Sequence, residues 1–143
     1  MAPLIVTTDL SPESKRVFGA ARHLAAKLDL RIKLVAVLEV VPFEPSAGGM
    51  IAAYPDREQV RKDWSSELEK VKHELGDDCD EAVVIDAVDV PNAIVDYANK
   101  NEAAFICMAT HGRSGLRRLL LGSVAELVIR HSRIPVIIYP PTE

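Results

Sequence analysis

Cysteine is scarce in this chain, and the two present, Cys79 and Cys107 among 143 residues, stand too far apart for a disulfide framework or a four-ligand zinc site. Cys107 lies in an apolar run and reads as a small core residue. Cys79 sits among Asp77, Asp78 and Asp80, where negative charge disfavours a thiolate, so neither reads as catalytic. A surplus of positive charge is missing too: 17 Lys and Arg face 21 Asp and Glu, a formal net charge of -4. That balance argues against a protein that coats nucleic acid, which needs a basic face. No apolar window reaches the length of a membrane span, and the start Met1-Ala2-Pro3-Leu4 has no basic region ahead of a long apolar segment. The expectation is no secretory leader, no membrane and a cytoplasmic location. Also absent are the phosphate loop G-x-x-x-x-G-K-[ST], a G-x-G-x-x-G after the first strand, and a Ser, Cys or Thr beside a His in a nucleophile turn. With no placed base or metal cluster either, binding is favoured over turnover.

What the chain does contain is enough apolar material for a core, 48% hydrophobic against 27% charged, and its length fits one domain over residues 1–143. Leu4-Ile5-Val6 reads as a short buried strand. Ser11 as cap, Pro12 at the first helical position and Glu13 open a helix with a stripe of Val17, Ala21, Leu24 and Leu28. Ile32 to Val41 is the second strand. Pro42 to Pro55 reads as a mobile loop. Val60, Trp64, Leu68, Val71 and Leu75 then recur at helical spacing. Ala82 to Ile85 forms a third strand, a short helix opens at Pro91, and Ala104 to Met108 forms a fourth strand. Ser123 to His131 is the last helix and Ile134 to Tyr139 the fifth strand. Alternation of this kind predicts an α/β fold, a parallel sheet covered on both faces as a three-layer sandwich. If the order is 3-2-1-4-5, the winding reverses between strands one and four, where ligands bind outside the carboxyl ends of the strands.

The chemistry gathers at that reversal. Met108-Ala109-Thr110-His111-Gly112, then nine residues, then Gly122-Ser123, places a glycine-bearing turn between a buried strand and a helix whose first amides have no internal partners. Such a turn offers N–H donors to a phosphate. Arg113, Arg117 and Arg118 add positive charge there, or form a solvated run. Gly112 and Gly122 permit close backbone approach, or serve a tight turn with φ > 0. Ser123 is expected to cap the helix and can offer its hydroxyl to phosphate. His111 either donates to phosphate or is an ordinary surface histidine. Asp9, just past the first strand, either accepts hydrogen bonds from a ribose or an exocyclic amine or closes an Asx turn.

These segments resemble the universal stress protein family across essentially the whole chain. The likeness rests on Ile5-Val6-Thr7-Thr8-Asp9, on Ala103 to Met108, on His111-Gly112-Arg113-Ser114-Gly115-Leu116 and on Leu119 to Glu126. Members that bind ATP share Gly, two residues, Gly, nine residues, then Gly followed by Ser or Thr. Here Gly112, Gly122 and Ser123 match, while Ala109 replaces the first glycine, keeping its N–H but losing one methyl of clearance and free access to φ > 0. The resemblance implies the fold of adenine nucleotide alpha hydrolase-like proteins with order 3-2-1-4-5. It further implies adenine and ribose near Thr8, Asp9, Val37 and Met108, and phosphates at His111, Gly112, Gly122, Ser123, Val124 and Ala125. Arg113 and Ser114 are added from charge and position. ATP would bring any Mg²⁺ with its triphosphate. A homodimer through the last strands is also implied, and Ile134 to Tyr139 fits it as an apolar sheet edge. The expected role is an ATP-binding, nucleotide-dependent regulator or sensor in stress response with at most slow hydrolysis. The alternatives are a nucleotide-independent dimeric interaction module of the same fold, or a true nucleotide hydrolase or transferase.

Overall fold

The computed structural model describes residues 1–40, 56–110 and 121–140. Its strands are β1 (Leu4–Thr8), β2 (Ile32–Glu39), β3 (Cys79–Ala87), β4 (Phe105–Ala109) and β5 (Val136–Tyr139). Its helices are α1 (Pro12–Lys15), α2 (Val17–Leu28), α3 (Arg57–Leu75), α4 (Val90–Lys100) and α5 (Ser123–His131). All strand pairs are parallel, in the order β3-β2-β1-β4-β5. The expected fold and strand order are therefore present.

Side chains on a strand alternate between faces, and both faces here are apolar. Leu4, Val6, Leu34, Ala36 and Cys107 turn to one side and pack with Val17, Phe18, Ala21 and Ala25 of α2 and Leu68, Val71 and Leu75 of α3. Ile5, Val35, Val37, Ile106 and Met108 turn to the other and pack with Ile94, Val95 and Ala98 of α4 and Ala125 and Val128 of α5. The result is three layers. Because α2 and α3 share one face and α4 and α5 the other, the winding reverses at the β1–β4 pair.

Several local expectations need correction. The stripe predicted to end at Leu28 does not hold to its end: α2 buries Val17, Phe18, Ala21 and Ala25, while Leu28 is 46% exposed. The chain turns left-handed at Asp29, φ 53°, and Leu30 packs against the core instead. The third strand is longer than predicted, and the second and fifth are shorter. The predicted loop Pro42 to Pro55 lies outside the described residues.

Candidate functional site

The β1–α1 corner forms first, from local chemistry. Asp9 closes an Asx turn, its Oδ1 accepting from the Ser11 amide at 2.9 Å. Ser11 caps α1, as predicted, by accepting from the Ser14 amide at 3.2 Å. Between them Leu10 sits at φ 66°, a conformation that costs a bulky residue on the order of 1–2 kcal/mol. The Leu10 amide is anchored on Thr8 Oγ1 at 2.9 Å, and its side chain packs on the core.

Proton bookkeeping gives this corner a direction. The Ser14 hydroxyl donates its one proton to the Ser11 carbonyl at 3.0 Å. The 2.8 Å contact between Thr8 Oγ1 and Ser14 Oγ is then Thr8 donating to Ser14. Both protons are spent, so the remaining capacity of each hydroxyl is to accept.

The opposite corner is built the other way. Gly122 is the cap of α5 and its amide donates to the Thr110 carbonyl at 2.7 Å, tying the start of α5 to the end of β4. The first intrahelical bond runs from the Glu126 amide to the Gly122 carbonyl, leaving the amides of Ser123, Val124 and Ala125 without partners inside the helix. Glycine has no side-chain oxygen to cap them. Two expectations change here. Ser123 is the first helical residue rather than the cap, which leaves its hydroxyl out of the capping role. Gly122 lies at φ -61°, ψ 154°, so no positive φ demands a glycine. The amino end of α4 differs, because Asp89 accepts from the Asn92 amide at 3.2 Å and from Asn92 Nδ2 at 2.7 Å. Its own carboxylate already answers the helix dipole.

Between these corners, at the carboxyl ends of β1, β2 and β4, lies a cavity of about 380 Å³, within the size range of small-molecule sites. Of the predicted residues, Thr8, Asp9, Val37, Met108, Ala109, Gly122, Ser123, Val124 and Ala125 all line it. His111, Gly112, Arg113 and Ser114 lie outside the described residues. Thr7 and Thr110, which belong to the two strand-end segments expected to face one another, line it too, and the sequence reading missed Ser14, Val35, Glu39, Val90 and Ile94. For Val35 and Glu39 the signal was available, since strand alternation places both on the face of Val37. Among the described lining residues the charged side chains are Asp9 and Glu39, both acidic. The cavity thus has an acceptor wall at β1 and β2, an apolar slot of Val35, Val37, Val90, Ile94 and Met108, and a donor wall at α5.

A second, wider depression of about 730 Å³ runs beside Arg31, Lys72, His73 and Asp80. It lies where β2 and β3 begin, and the Arg31 guanidinium is already engaged by Asp80 and the Asp77 carbonyl. That pairing holds the Asp80 carboxyl below its ordinary 3.8. Burial pushes the Cys107 thiol up to about 12 and raises Cys79, which agrees with unreactive structural cysteines.

The model of the universal stress protein family matches residues 1–140. The chain belongs to the universal stress protein family. Among its relatives is Universal stress protein MJ0531 of Methanocaldococcus jannaschii, 32% identical over 139 residues, covering 94% of this chain and 79% of that one. Universal stress protein YxiE of Bacillus subtilis is 29% identical over 143 residues, covering 94% and 96%. The fold is also that of solved universal stress proteins: one in complex with cAMP superposes at a TM-score of 0.70, with 19% identity over 99% of this chain and 98% of that one. The protein from Archaeoglobus fulgidus in complex with dAMP gives 0.69, with 21% identity over 96% and 97%. Among the described residues no helix is long and apolar enough to cross a membrane.

Proposed function

We propose that this universal stress protein binds an adenine nucleotide, ATP with any Mg²⁺ carried by its phosphates, and acts as a nucleotide-dependent regulator or sensor in stress response. The observation that carries the reading is the contrast between two helix starts on one cavity: α4 is capped by Asp89, whereas α5 opens its uncapped amides into the space. A phosphate is stabilised where unpaired N–H groups and the positive end of the dipole coincide. In this reading Gly122, Ser123, Val124 and Ala125 meet phosphate, joined by His111, Gly112, Arg113 and Ser114. Thr8 and Asp9 accept from the ribose, and Val37 and Met108 enclose the base. Relatives of the same fold in complex with cAMP and dAMP support an adenine ligand. The half-buried edge strand β5 supports a homodimer through that edge, which would cover its unpaired backbone groups.

Calorimetry with ATP, ADP and AMP on folded, nucleotide-free protein tests the proposal. Saturable binding with a stoichiometry of one per chain is expected. Absence of binding by all three would overturn it in favour of an interaction module that works without nucleotide.

A further inference from the structure

Leu10 is the strained residue of the β1–α1 corner. At φ 66° it holds a left-handed conformation that a bulky residue keeps only where its surroundings over-determine it. Three contacts do so. Its amide donates to Thr8 Oγ1 at 2.9 Å, the Asp9 carboxylate accepts from the Ser11 amide across it at 2.9 Å, and its half-buried side chain packs against the core cluster on the α2 and α3 face of the sheet.

Each of the two hydrogen bonds joins residues only two apart, so of the three contacts only the side chain ties the turn to the body of the fold. Glycine would take φ 66° without steric cost, but it would bring no such anchor. The anchor and the polar groups also serve different faces. Leu10 packs with the α2 and α3 cluster, whereas Thr8 and Asp9 line the cavity, whose apolar slot belongs to the α4 and α5 side.

Resting on the nucleotide reading above, in which Thr8 and Asp9 accept from the ribose, we propose that Leu10 is a positioning residue whose side chain, anchored on one face of the sheet, holds the turn that aims those two acceptors into the cavity. Both are oriented through the backbone at residue 10. The Leu10 amide occupies one acceptor direction of Thr8 Oγ1, and the Asx turn around Leu10 fixes the plane of the Asp9 carboxylate. With the side chain cut back, nothing offsets the left-handed conformation. The turn then relaxes to negative φ and releases both hydrogen bonds together.

The test is calorimetry with two ligands, ATP and 2′,3′-dideoxy-ATP, which lacks only the two ribose hydroxyls, against the parent, Leu10→Ala, Leu10→Gly and Leu10→Met, each at a temperature where thermal unfolding shows it folded. The parent is expected to favour ATP by about tenfold. Leu10→Ala and Leu10→Gly are expected to lose most of that preference while binding the dideoxy ligand within about twofold of the parent. Leu10→Met, which restores an unbranched apolar anchor, is expected to recover most of it. The ratio of the two affinities is the readout that a merely structural role would not move, since both ligands report on the same folded protein. If Leu10→Ala or Leu10→Gly keeps the full preference, or if the parent binds both ligands equally, the role of Leu10 is overturned while the nucleotide reading stands. If the parent binds neither triphosphate, both fall.

Discussion

Replacing Ser123 by proline removes one backbone donor from the proposed phosphate corner while leaving the helix that presents it intact. Gly122, the preceding residue, lies at φ -61°, ψ 154°, the extended region that a residue before proline adopts without strain. The new ring would occupy the first position of α5, where its fixed φ suits the helix and the missing N–H breaks no intrahelical bond. This fold already uses the device, with Pro12 and Pro91 in the first turns of α1 and α4. Stability is therefore expected to stay within about 0.5 kcal/mol of the parent, or to rise slightly through the reduced entropy of the unfolded chain.

Binding should respond much more strongly. A hydrogen bond to a charged group contributes about 1.5–3 kcal/mol, so losing the Ser123 amide is expected to weaken ATP binding about 10- to 150-fold. Ser123→Ala separates the hydroxyl from the amide, since it keeps the N–H and removes only the side-chain donor. Calorimetry with ATP on both variants, alongside urea unfolding, gives the two numbers needed. If Ser123→Pro is as stable as the parent and binds ATP as tightly as Ser123→Ala does, the amide does not hold phosphate and the argument from the uncapped helix fails.

Two further outcomes concern the fold. Asp29→Gly is expected to stabilise the protein by about 0.5–1 kcal/mol in urea unfolding, because Asp29 ends α2 at φ 53° and glycine takes that conformation without steric cost. The Cys107 thiol, pushed up to about 12 by burial from an ordinary 9.0, keeps a proton that the unfolded chain releases, so its contribution to stability is complete below pH 9 and falls between pH 9 and 12. Denaturation midpoints of the parent should therefore drop more steeply over that range than those of Cys107→Val, and parallel curves would contradict the burial argument.

Much of the architecture was legible because it rests on local periodicity. Val60, Trp64, Leu68, Val71 and Leu75 repeat at helical spacing, and in α3 Leu68, Val71 and Leu75 are buried. Apolar runs such as Leu4-Ile5-Val6 signal strands covered on both faces, which directs the chain toward a parallel sheet. Leu28 misled because a stripe read from spacing carries no record of where the helix stops. In the candidate site, the nine predicted residues that fall among the described ones trace to the ends of β1, β2 and β4 and to one helix start. Val90 and Ile94 were not. They reach the cavity only because α4 packs on the β2 side of the sheet, a tertiary choice that no short motif encodes. The Ser123 cap was misassigned for a related reason: Gly122 carries no side-chain oxygen, so the more familiar capping residue beside it drew the assignment.

Ala109 can now be weighed in physical terms. It replaces the first glycine of the family pattern, and an alanine loses two things there, a methyl's worth of space and easy access to positive φ. The second loss does not apply, because Ala109 ends β4 in register with Tyr139, and the described non-glycine residues with positive φ are Leu10, Asp29 and Glu102. Only the methyl remains. Ala109 lines the cavity of about 380 Å³, but its methyl packs with the cluster on the α2 and α3 face of the sheet, opposite the face that carries Met108 and the apolar slot. The uncapped amides of Ser123, Val124 and Ala125 do not depend on residue 109. The departure therefore removes no donor and adds its methyl on the far face, and the polarity of the cavity, with acceptors on β1 and β2 and uncapped amides on α5, is set by other residues.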